Sequence, residues 1–285
     1  MATPVNPTTT TGSPAAYSPD EVAFAADAAI PEALILKATT VASTTLEGDR
    51  PTVQIPWVRD TPATWTVEGT ELERNVPGLD HTAVPVRKLT KMSYISRELW
   101  ESNDGTNAAL LSSGSLRSIV SAADSALMGI QPGEGTPFTG LVNTPQRVEG
   151  GKIETNLDPL ADVIAQIEAN DGTPQLIVAN PLAWGKLRNL KTADKANTSL
   201  LGAGTEDQGK KLFGIEVITS SAVPAGSLVV IDPGAVASVV GQVKVANSEH
   251  LLFDHDAIAL RVIWHIGWNV MRPNRIGTVT IGAGA

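Results

Sequence analysis

One segment of the sequence comes close to a phosphate-binding loop. Residues 204–211 read Gly-Thr-Glu-Asp-Gln-Gly-Lys-Lys, whereas a P-loop needs a Ser or Thr at the last position to hold magnesium. Lys211 stands where that hydroxyl is required. The segment also leads into a predicted strand, so no helix N-terminus would face the phosphates. We therefore interpret it as part of a mobile loop, with a small-molecule enzyme that depends on Lys210 kept as an alternative.

The histidines give little support to a metal or hydrolytic site. Residues 254–256, Asp-His-Asp, offer oxygen and nitrogen ligands for a divalent cation, but no further ligand lies at a suitable spacing. His81, His250 and His265 are scattered, and no Gly-x-Ser-x-Gly elbow supplies a serine nucleophile. We predict a solvated turn at 254–256, surface or packing histidines, and no catalytic residue, metal ion or cofactor.

An acidic cluster and several tryptophans also have two interpretations. Glu68, Glu71 and Glu73 could form paired catalytic carboxylates, but a charged edge that pairs with arginines of a neighbouring chain is preferred. Four tryptophans in β segments could stack on bases or sugars: Trp57, Trp65, Trp264 and Trp268. Because the chain is acidic, we favour packing of these rings inside the subunit or between subunits.

Composition excludes several classes of function. The 285 residues carry 21 basic and 30 acidic side chains, a net charge of −9, which is the wrong sign for neutralising many phosphates. The absence of cysteine removes disulfides and thiolate metal sites. The N-terminus lacks a signal-peptide pattern, and no apolar run reaches the ~18 residues of a membrane span. We expect a protein made in the cytoplasm, without sequence-specific DNA binding or membrane insertion.

The first hundred residues change in character along the chain. Residues 1–19, with four prolines and a threonine run, predict a flexible arm, and Ile30 and Leu34–Leu36 are the first candidate anchor onto a core. From Thr52 to Ile95 the alternation at 53–55, 63–67 and 83–86 predicts a long two-stranded β excursion. A lone hairpin is marginal in water, so a neighbouring subunit is expected to cover it.

Residues 107–131 give the strongest helix pattern. Apolar residues share one face: Leu116, Ile119, Val120, Ala123, Leu127 and Ile130. Polar residues are predicted to occupy the opposite face: Arg117, Ser118, Ser121, Asp124 and Ser125. Pro132-Gly133 ends the pattern. The segment is interpreted as a long amphipathic strut.

An α/β lobe and a β-rich tail follow the strut. Asp158-Pro159 is predicted to cap and begin one helix, and Asn180-Pro181 another. Strands are predicted at 175–179, 215–218 and 228–231, with a mobile loop at 192–211. Beyond Ala235 the pattern is β, which predicts an arm that returns along the strut helix. The fold class is therefore α+β.

Several short signatures occur in a fixed order. They are Trp-Thr-Val-Glu-Gly at 65–69, Ser-Arg-Glu-Leu at 96–99, Thr-Pro-Phe-Thr-Gly-Leu at 136–141, Val-Ala-Asn-Pro at 178–181, Leu-Phe-Gly-Ile-Glu-Val at 212–217, and Phe253-Asp254 with Arg261 and Val270-Pro273. Their order and spacing resemble the tailed-bacteriophage major capsid protein family of the Hong Kong phage type, with the Johnson capsid fold. His265 departs from the family, which has a basic residue there.

The resemblance implies five parts of the chain and a set of contact residues. The parts are an N-terminal arm at 1–46, an extended β-hairpin loop at 47–95, a spine helix and peripheral domain at 96–155, an axial α/β lobe at 156–234, and a peripheral β arm at 235–285. Inter-subunit contacts are expected on the extended loop at Trp57, Arg59, Trp65, Glu68, Glu71, Glu73 and Arg74. The β arm is expected to use Asp254, Arg261, Trp264 and Trp268.

The implied function is that of a major capsid protein. Hexamers and pentamers of the chain would form the icosahedral head shell around double-stranded DNA, without sequence-specific contacts. Partners would be a portal and separate scaffold or decoration proteins, and the virion would be assembled in the host bacterial cytoplasm. An encapsulin-like compartment shell, which shares the fold, is an alternative.

Two further expectations concern how the shell is made. Some relatives link an extended-loop lysine to a neighbour's asparagine, but residues 49–80 contain no lysine, so we predict a non-covalent shell. The chain before Leu46 is too short for the fused scaffold of other relatives. We therefore expect any scaffold to be a separate protein and little or no N-terminal trimming.

Overall fold

The fold was analysed in a computed structural model of the chain. The structure describes residues 21–44, 52–59, 63, 65–69, 78–101, 106–129, 138–191 and 210–282. These residues form two large β-sheets with helices packed on them and a separate two-stranded hairpin. The predicted α+β class is therefore confirmed.

The first half of the described chain contains short N-terminal elements, the hairpin and the strut helix. In order they are β1 (Glu21–Phe24), α1 (Ala26–Ala29), α2 (Leu34–Ala38), β2 (Thr40–Ser43), β3 (Thr52–Arg59), β4 (Gly78–Pro85), β5 (Arg87–Ser96), α3 (Arg97–Glu101) and α4 (Thr106–Met128).

The second half contains the lobe and two long strands. In order they are β6 (Val148–Ile153), α5 (Asp158–Ala169), β7 (Leu176–Ala179), α6 (Pro181–Asn189), β8 (Lys211–Leu212), β9 (Ile215–Thr219), β10 (Ser227–Ile231), β11 (Val236–Leu252), β12 (Ala257–Val270) and β13 (Ile276–Ile281).

The first sheet is built on the long antiparallel pair β11–β12. Its strand order is β1-β11-β12-β5, and β2 adds to β11 in parallel. Trp264 of β12 is fully buried in one cluster with Ile119 and Leu127 of α4. Ile30 and Ile35 of the N-terminal segment join the same cluster. The strut helix is thus enclosed between the β arm and residues 26–38.

The second sheet forms the core of the lobe. Its order is β6-β13-β10-β7-β9-β8, and its central strands β7 and β10 are apolar on both faces, as a doubly covered strand requires. Ile177 and Val230 pack in the cluster with α5 and α6, whereas Val178 and Ile231 pack in the cluster that contains α4. The two sheets therefore share a core.

Helix α4 ends one turn earlier than its sequence pattern suggests. Gly129 follows Met128 with φ +103°, a conformation that favours glycine. A Cβ added to Gly140 would lie 2.2 Å from the Gly129 Cα, so the chain after the helix returns against its end. Residues 130–137, including the predicted core residue Ile130, lie outside the described residues.

Three local predictions are wrong. Residues 63 and 65–67, predicted as a strand, are not in one, and no strand of the described residues pairs with them. Residues 87–95 were assigned to the hairpin, but β5, which contains them, leaves it and pairs with β12. Helix α5 has Leu157 rather than Asp158 at its N-cap, without a side-chain cap hydrogen bond.

Candidate functional site

The hairpin β3–β4 is anchored only at its root. Its register runs from Thr52 opposite Pro85 to Arg59 opposite Gly78. Near the root, Val53 and Ile55 pack against a small cluster that includes the fully buried Val84. Trp57 lies two residues further from the root than Ile55, opposite Asp80, and is only half-buried. Within the described residues neither β3 nor β4 pairs with a third strand, so both hairpin edges are available to another chain.

The segment beyond the hairpin exposes large apolar side chains. Trp65 has a relative exposure of 104% and Val67 of 77%, and Glu68 is also exposed. Residues 71–77, which include Glu71, Glu73 and Arg74, and the side chain of Arg59 lie outside the described residues. A fully exposed tryptophan is unusual for a chain that has two cores in which to bury it, and points to a contact with another molecule.

A groove lies beside the root of the hairpin. It has a volume of about 340 Å³ and is lined by ten residues from four parts of the chain: Pro85, Phe138, Thr139, Thr144, Pro145, Gln146, Trp268, Asn269, Val270 and Pro273. Phe138 and Trp268 stack with ring centroids 4.3 Å apart and an interplanar angle of 30°. The Trp268 indole Nε1–H donates to the Thr139 carbonyl at 3.1 Å. Both rings are thereby held rigidly in the floor of the groove.

The apolar face of α4 is buried or half-buried, as the 3.6-residue periodicity of its sequence predicts. Ile119, Val120, Ala123 and Leu127 are buried, and Leu116 is half-buried. Asp124, predicted on the polar face, is also buried, with 9% relative exposure, because residues 26–38 cover a second side of the helix. That prediction is wrong, since the sequence pattern does not show which distant segment packs on the helix.

Asp124 links the strut helix to the N-terminal segment. Its Oδ1 accepts a hydrogen bond from the Leu34 backbone N–H at 2.9 Å, at the start of α2. Burial raises the pKa of Asp124 from 3.8 to about 6; the hydrogen bond from Leu34 opposes this shift and the nearby charge of Glu32 adds to it. The hydrogen bond to the start of α2 is therefore accepted by a carboxyl group, that of Asp124, whose ionised form is disfavoured by burial.

The predicted β-arm residues divide into packing and surface positions. Trp264 is fully buried and its indole Nε1–H donates to the Gly241 carbonyl at 3.0 Å, and Trp268 is 3% exposed. Asp254 and Arg261 are exposed. The two tryptophans therefore stabilise the subunit itself, and the two charged side chains lie on its surface.

Arg97, which the sequence indicated only as part of a motif, joins helix α3 to the turn between β11 and β12. Arg97 at the start of α3 donates from Nε to Asp256 Oδ1 at 2.9 Å and from Nη1 to Glu249 Oε2 at 3.2 Å. Its backbone N–H donates to the Asp256 carbonyl. These contacts connect the turn between β11 and β12 to the helix that precedes the strut.

The residues considered for chemistry do not assemble into a reaction centre in the described chain. His255 Nε2 lies 3.4 Å from Asp254 Oδ2, with both side chains exposed, and no group of three or more potential ligands in the described residues could hold a metal ion. Lys210 Nζ donates to the Thr219 hydroxyl at 2.9 Å. Residues 192–209 of the loop predicted at 192–211 lie outside the described residues, and so do residues 204–209 of the P-loop-like segment within it. Lys211, predicted in the loop, lies in β8.

The three histidines lie on different strands. His81 is in β4, His250 in β11 and His265 in β12. His265, at the position that departs from the family pattern, is half-buried, and burial lowers its pKa, with Lys88 and Lys244 adding to the effect. A neutral imidazole among cations is suited to packing rather than to recognising an anion.

No helix in the described part of the chain combines the length and hydropathy that a bilayer-spanning helix requires.

Comparison with solved structures identifies the fold. A chain from Gordonia phage Cozz matches with a TM-score of 0.65 and 16% identity, over 88% of this chain and 87% of that chain. A chain from Microbacterium phage Oxtober96 matches with a TM-score of 0.67 and 12% identity, over 97% and 100% of the two chains. A chain from the capsid of an empty GTA particle matches with a TM-score of 0.66 and 16% identity, over 88% and 90%.

Sequence comparison identifies the family. No curated protein sequence matches the chain. The profile of the Phage capsid family matches residues 31–281, from the anchor of the N-terminal segment to the last strand of the lobe. The chain therefore belongs to the phage capsid family, and it is a major capsid protein that forms the shell of a phage head.

Proposed function

We propose that copies of this chain assemble through the hairpin β3–β4 and its exposed tip into hexamers and pentamers of an icosahedral shell. The observation that carries the proposal is the hairpin itself: it is anchored at its root, has two open edges, and ends in a tryptophan that is 104% exposed. A stable interface buries about 800 Å² per partner. A hairpin laid over a neighbour, together with the exposed tip, can supply much of that area.

In this proposal the subunit works by surface complementarity and not by catalysis. Family membership supports a structural role. Contacts with the neighbour would use Trp57, Trp65 and Glu68 on the loop, together with Arg59, Glu71, Glu73 and Arg74 from the undescribed part. On the arm, contacts would use Asp254 and Arg261, both of which are exposed.

The test is assembly of the purified full chain, followed by electron microscopy. We expect closed icosahedral particles, and deletion of residues 60–77 with a short glycine linker should leave soluble subunits that do not close. Removing the tip preserves the root cluster around Val84, so the variant should fold. A stable monomer at high concentration, with no particles under any condition that assembles relatives, would contradict the proposal.

The shell is proposed to enclose double-stranded DNA without reading its sequence. A net charge of −9 supports a wall that does not grip the duplex. Portal and separate scaffold or decoration proteins are the proposed partners, and assembly in the bacterial cytoplasm is the proposed location. In a gel-shift titration the chain should bind unrelated DNA fragments equally weakly; a footprint on one sequence would contradict the proposal.

The shell is also proposed to be held without covalent links. Residues 49–80 contain Arg50, Arg59 and Arg74 but no lysine that could form an isopeptide bond. Boiled particles should give single chains on a denaturing gel, and the particle-borne chain should have the mass of the newly made one. Ladders of linked subunits or a large N-terminal trim would contradict these two points.

A further inference from the structure

Among the exposed large apolar side chains of the described residues, one is a tryptophan with no part buried. Trp65 is the most exposed of the large apolar residues in the described chain, and Val67 beside it is 77% exposed. Tryptophan is the residue type most enriched among the side chains that dominate interface energies, because it removes a large apolar area from water at little entropic cost. Its position at the tip of a projecting hairpin suits insertion into another molecule.

The same chain contains a groove of matching size and chemistry. The floor is the stacked pair Phe138 and Trp268, and the rim carries Pro85, Pro145 and Pro273. Proline rings pack well against aromatic side chains, which is the basis of recognition in proline-binding grooves. A volume of about 340 Å³ is at the lower end of the range for ligand sites and suits one large side chain with its neighbours.

The groove cannot be filled by the tip of its own chain as the structure stands. Pro85 is at the root of the hairpin, and Arg59 opposite Gly78 is at the far end, seven residues away at about 3.4 Å per residue. Trp65 lies beyond that far end and is fully exposed. Insertion of a Trp65 side chain into this groove therefore requires a second copy.

We propose that Trp65 of one copy inserts into the groove formed by Phe138, Trp268 and the three rim prolines of the next copy. The proposal rests on the proposed function, because it names the receiving surface for the hairpin tip. Charge supports it: Glu68 follows Trp65 at the tip, and Arg87, two residues from Pro85, is exposed and forms no ion pair with a described residue.

This contact has a defined symmetry. Each copy carries one tip and one groove on different surfaces, so the interface is heterologous, and repetition of it produces a ring when the rotation closes. Hexamers and pentamers are such rings. The same pair of surfaces can therefore form both hexamers and pentamers.

Cross-linking tests the contact directly, because the chain has no cysteine. The double variant Thr66→Cys, Thr139→Cys keeps Trp65 and the aromatic floor and places one thiol beside each. In assembled particles, oxidation or a short bifunctional maleimide should give a ladder of linked chains on a denaturing gel. The matched control pairs Thr66→Cys with Thr155→Cys, an exposed position on the lobe, and should give no ladder.

Assembly of paired variants tests the direction of the contact. Trp65→Ala removes the tip, and Thr139→Trp fills the groove at an exposed position, so each alone should raise the concentration needed for assembly at least about tenfold. A 1:1 mixture retains one intact tip and one intact groove in each unlike pair, so it should form heterodimers and no rings. Thr155→Trp, a matched surface substitution, should assemble as the parent does.

The outcomes separate this inference from the proposed function. If the parent forms shells but the cysteine pair gives no ladder and Trp65→Ala assembles normally, the groove is not the receiving surface and the proposed function stands. If the parent forms no shells, the proposed function fails first. Circular dichroism of each variant shows whether a loss of assembly comes from a loss of folding.

Discussion

Replacing Asp124 by asparagine should remove a pH dependence from the stability of the subunit. The carboxylate is buried between α4 and α2, and its pKa is raised from 3.8 to about 6 mainly by burial. Asparagine is neutral at every pH, and its amide oxygen can still accept the hydrogen bond from the Leu34 N–H. The substitution therefore removes the ionisation and keeps the contact.

The magnitude follows from the size of the shift. A change from 3.8 to about 6 corresponds to about 3 kcal/mol, because one pKa unit is about 1.4 kcal/mol. The folded-state pKa lies above the unfolded one, so the contribution of Asp124 to stability is complete below pH ~4 and is lost as the pH rises through ~6. Between pH ~4 and ~7.5 the parent should lose about 2 kcal/mol relative to Asp124→Asn.

Urea unfolding of unassembled subunits, followed by tryptophan fluorescence at a series of pH values, measures this difference. Any cost of the amide group itself is independent of pH, so the test is the slope and not the absolute stability of the variant. Asp162→Asn, at an exposed position of α5, is the matched control, because it makes the same change of side chain without altering a buried group. A flat difference for Asp124→Asn, or one that falls as the pH rises, would refute the reasoning.

Substitutions at two positions of β12, Trp264 and Gly267, test the packing of the β arm. Trp264→Ala should destabilise the subunit by about 3–5 kcal/mol in urea unfolding, and Trp264→Phe by about 1–3 kcal/mol, because the latter mainly leaves the buried Gly241 carbonyl without its donor. Gly267→Ala should cost at least about 1–3 kcal/mol, because the new Cβ would lie 2.0 Å from the Pro85 carbonyl oxygen, whereas Gly185→Ala, in α6 with nothing within 4 Å, should be neutral or stabilising by up to about 1 kcal/mol. Equal effects at the two glycines, or a fully stable Trp264→Ala, would contradict this account of the packing.

Local patterns in the sequence identified most of the elements. The spacing of Ile119, Val120, Ala123 and Leu127 predicted both the strut helix and its buried face, because helical periodicity is a property of neighbouring residues. The Asn180-Pro181 signal was sufficient for α6: the Asn180 side chain accepts from the Leu182 N–H at 3.0 Å. Family signatures in a fixed order added the shape of the shell subunit and the role of the hairpin.

The candidate contact site was harder to predict from the sequence than the helices and strands. The analysis named Trp65 and Glu68 as contact residues, and the structure places both at an exposed tip, but their partners remain proposals. Asp124 was assigned to solvent, because the segment that covers it lies 90 residues away along the chain. Residues 87–95 were assigned to the hairpin, because alternation predicts a strand and does not choose its neighbour.

The sequence by itself determined the periodicities, the helix ends that depend on a few adjacent residues, the charge balance and the family. Only the tertiary structure decided which strands pair, which side of the strut helix is covered twice, and that Pro85, Phe138 and Trp268 surround a common groove. The physical reason is the sequence separation over which each effect acts. Backbone and side-chain preferences act between residues that are close in the sequence, whereas burial, pKa shifts and grooves arise where packing brings together segments that are far apart along the chain.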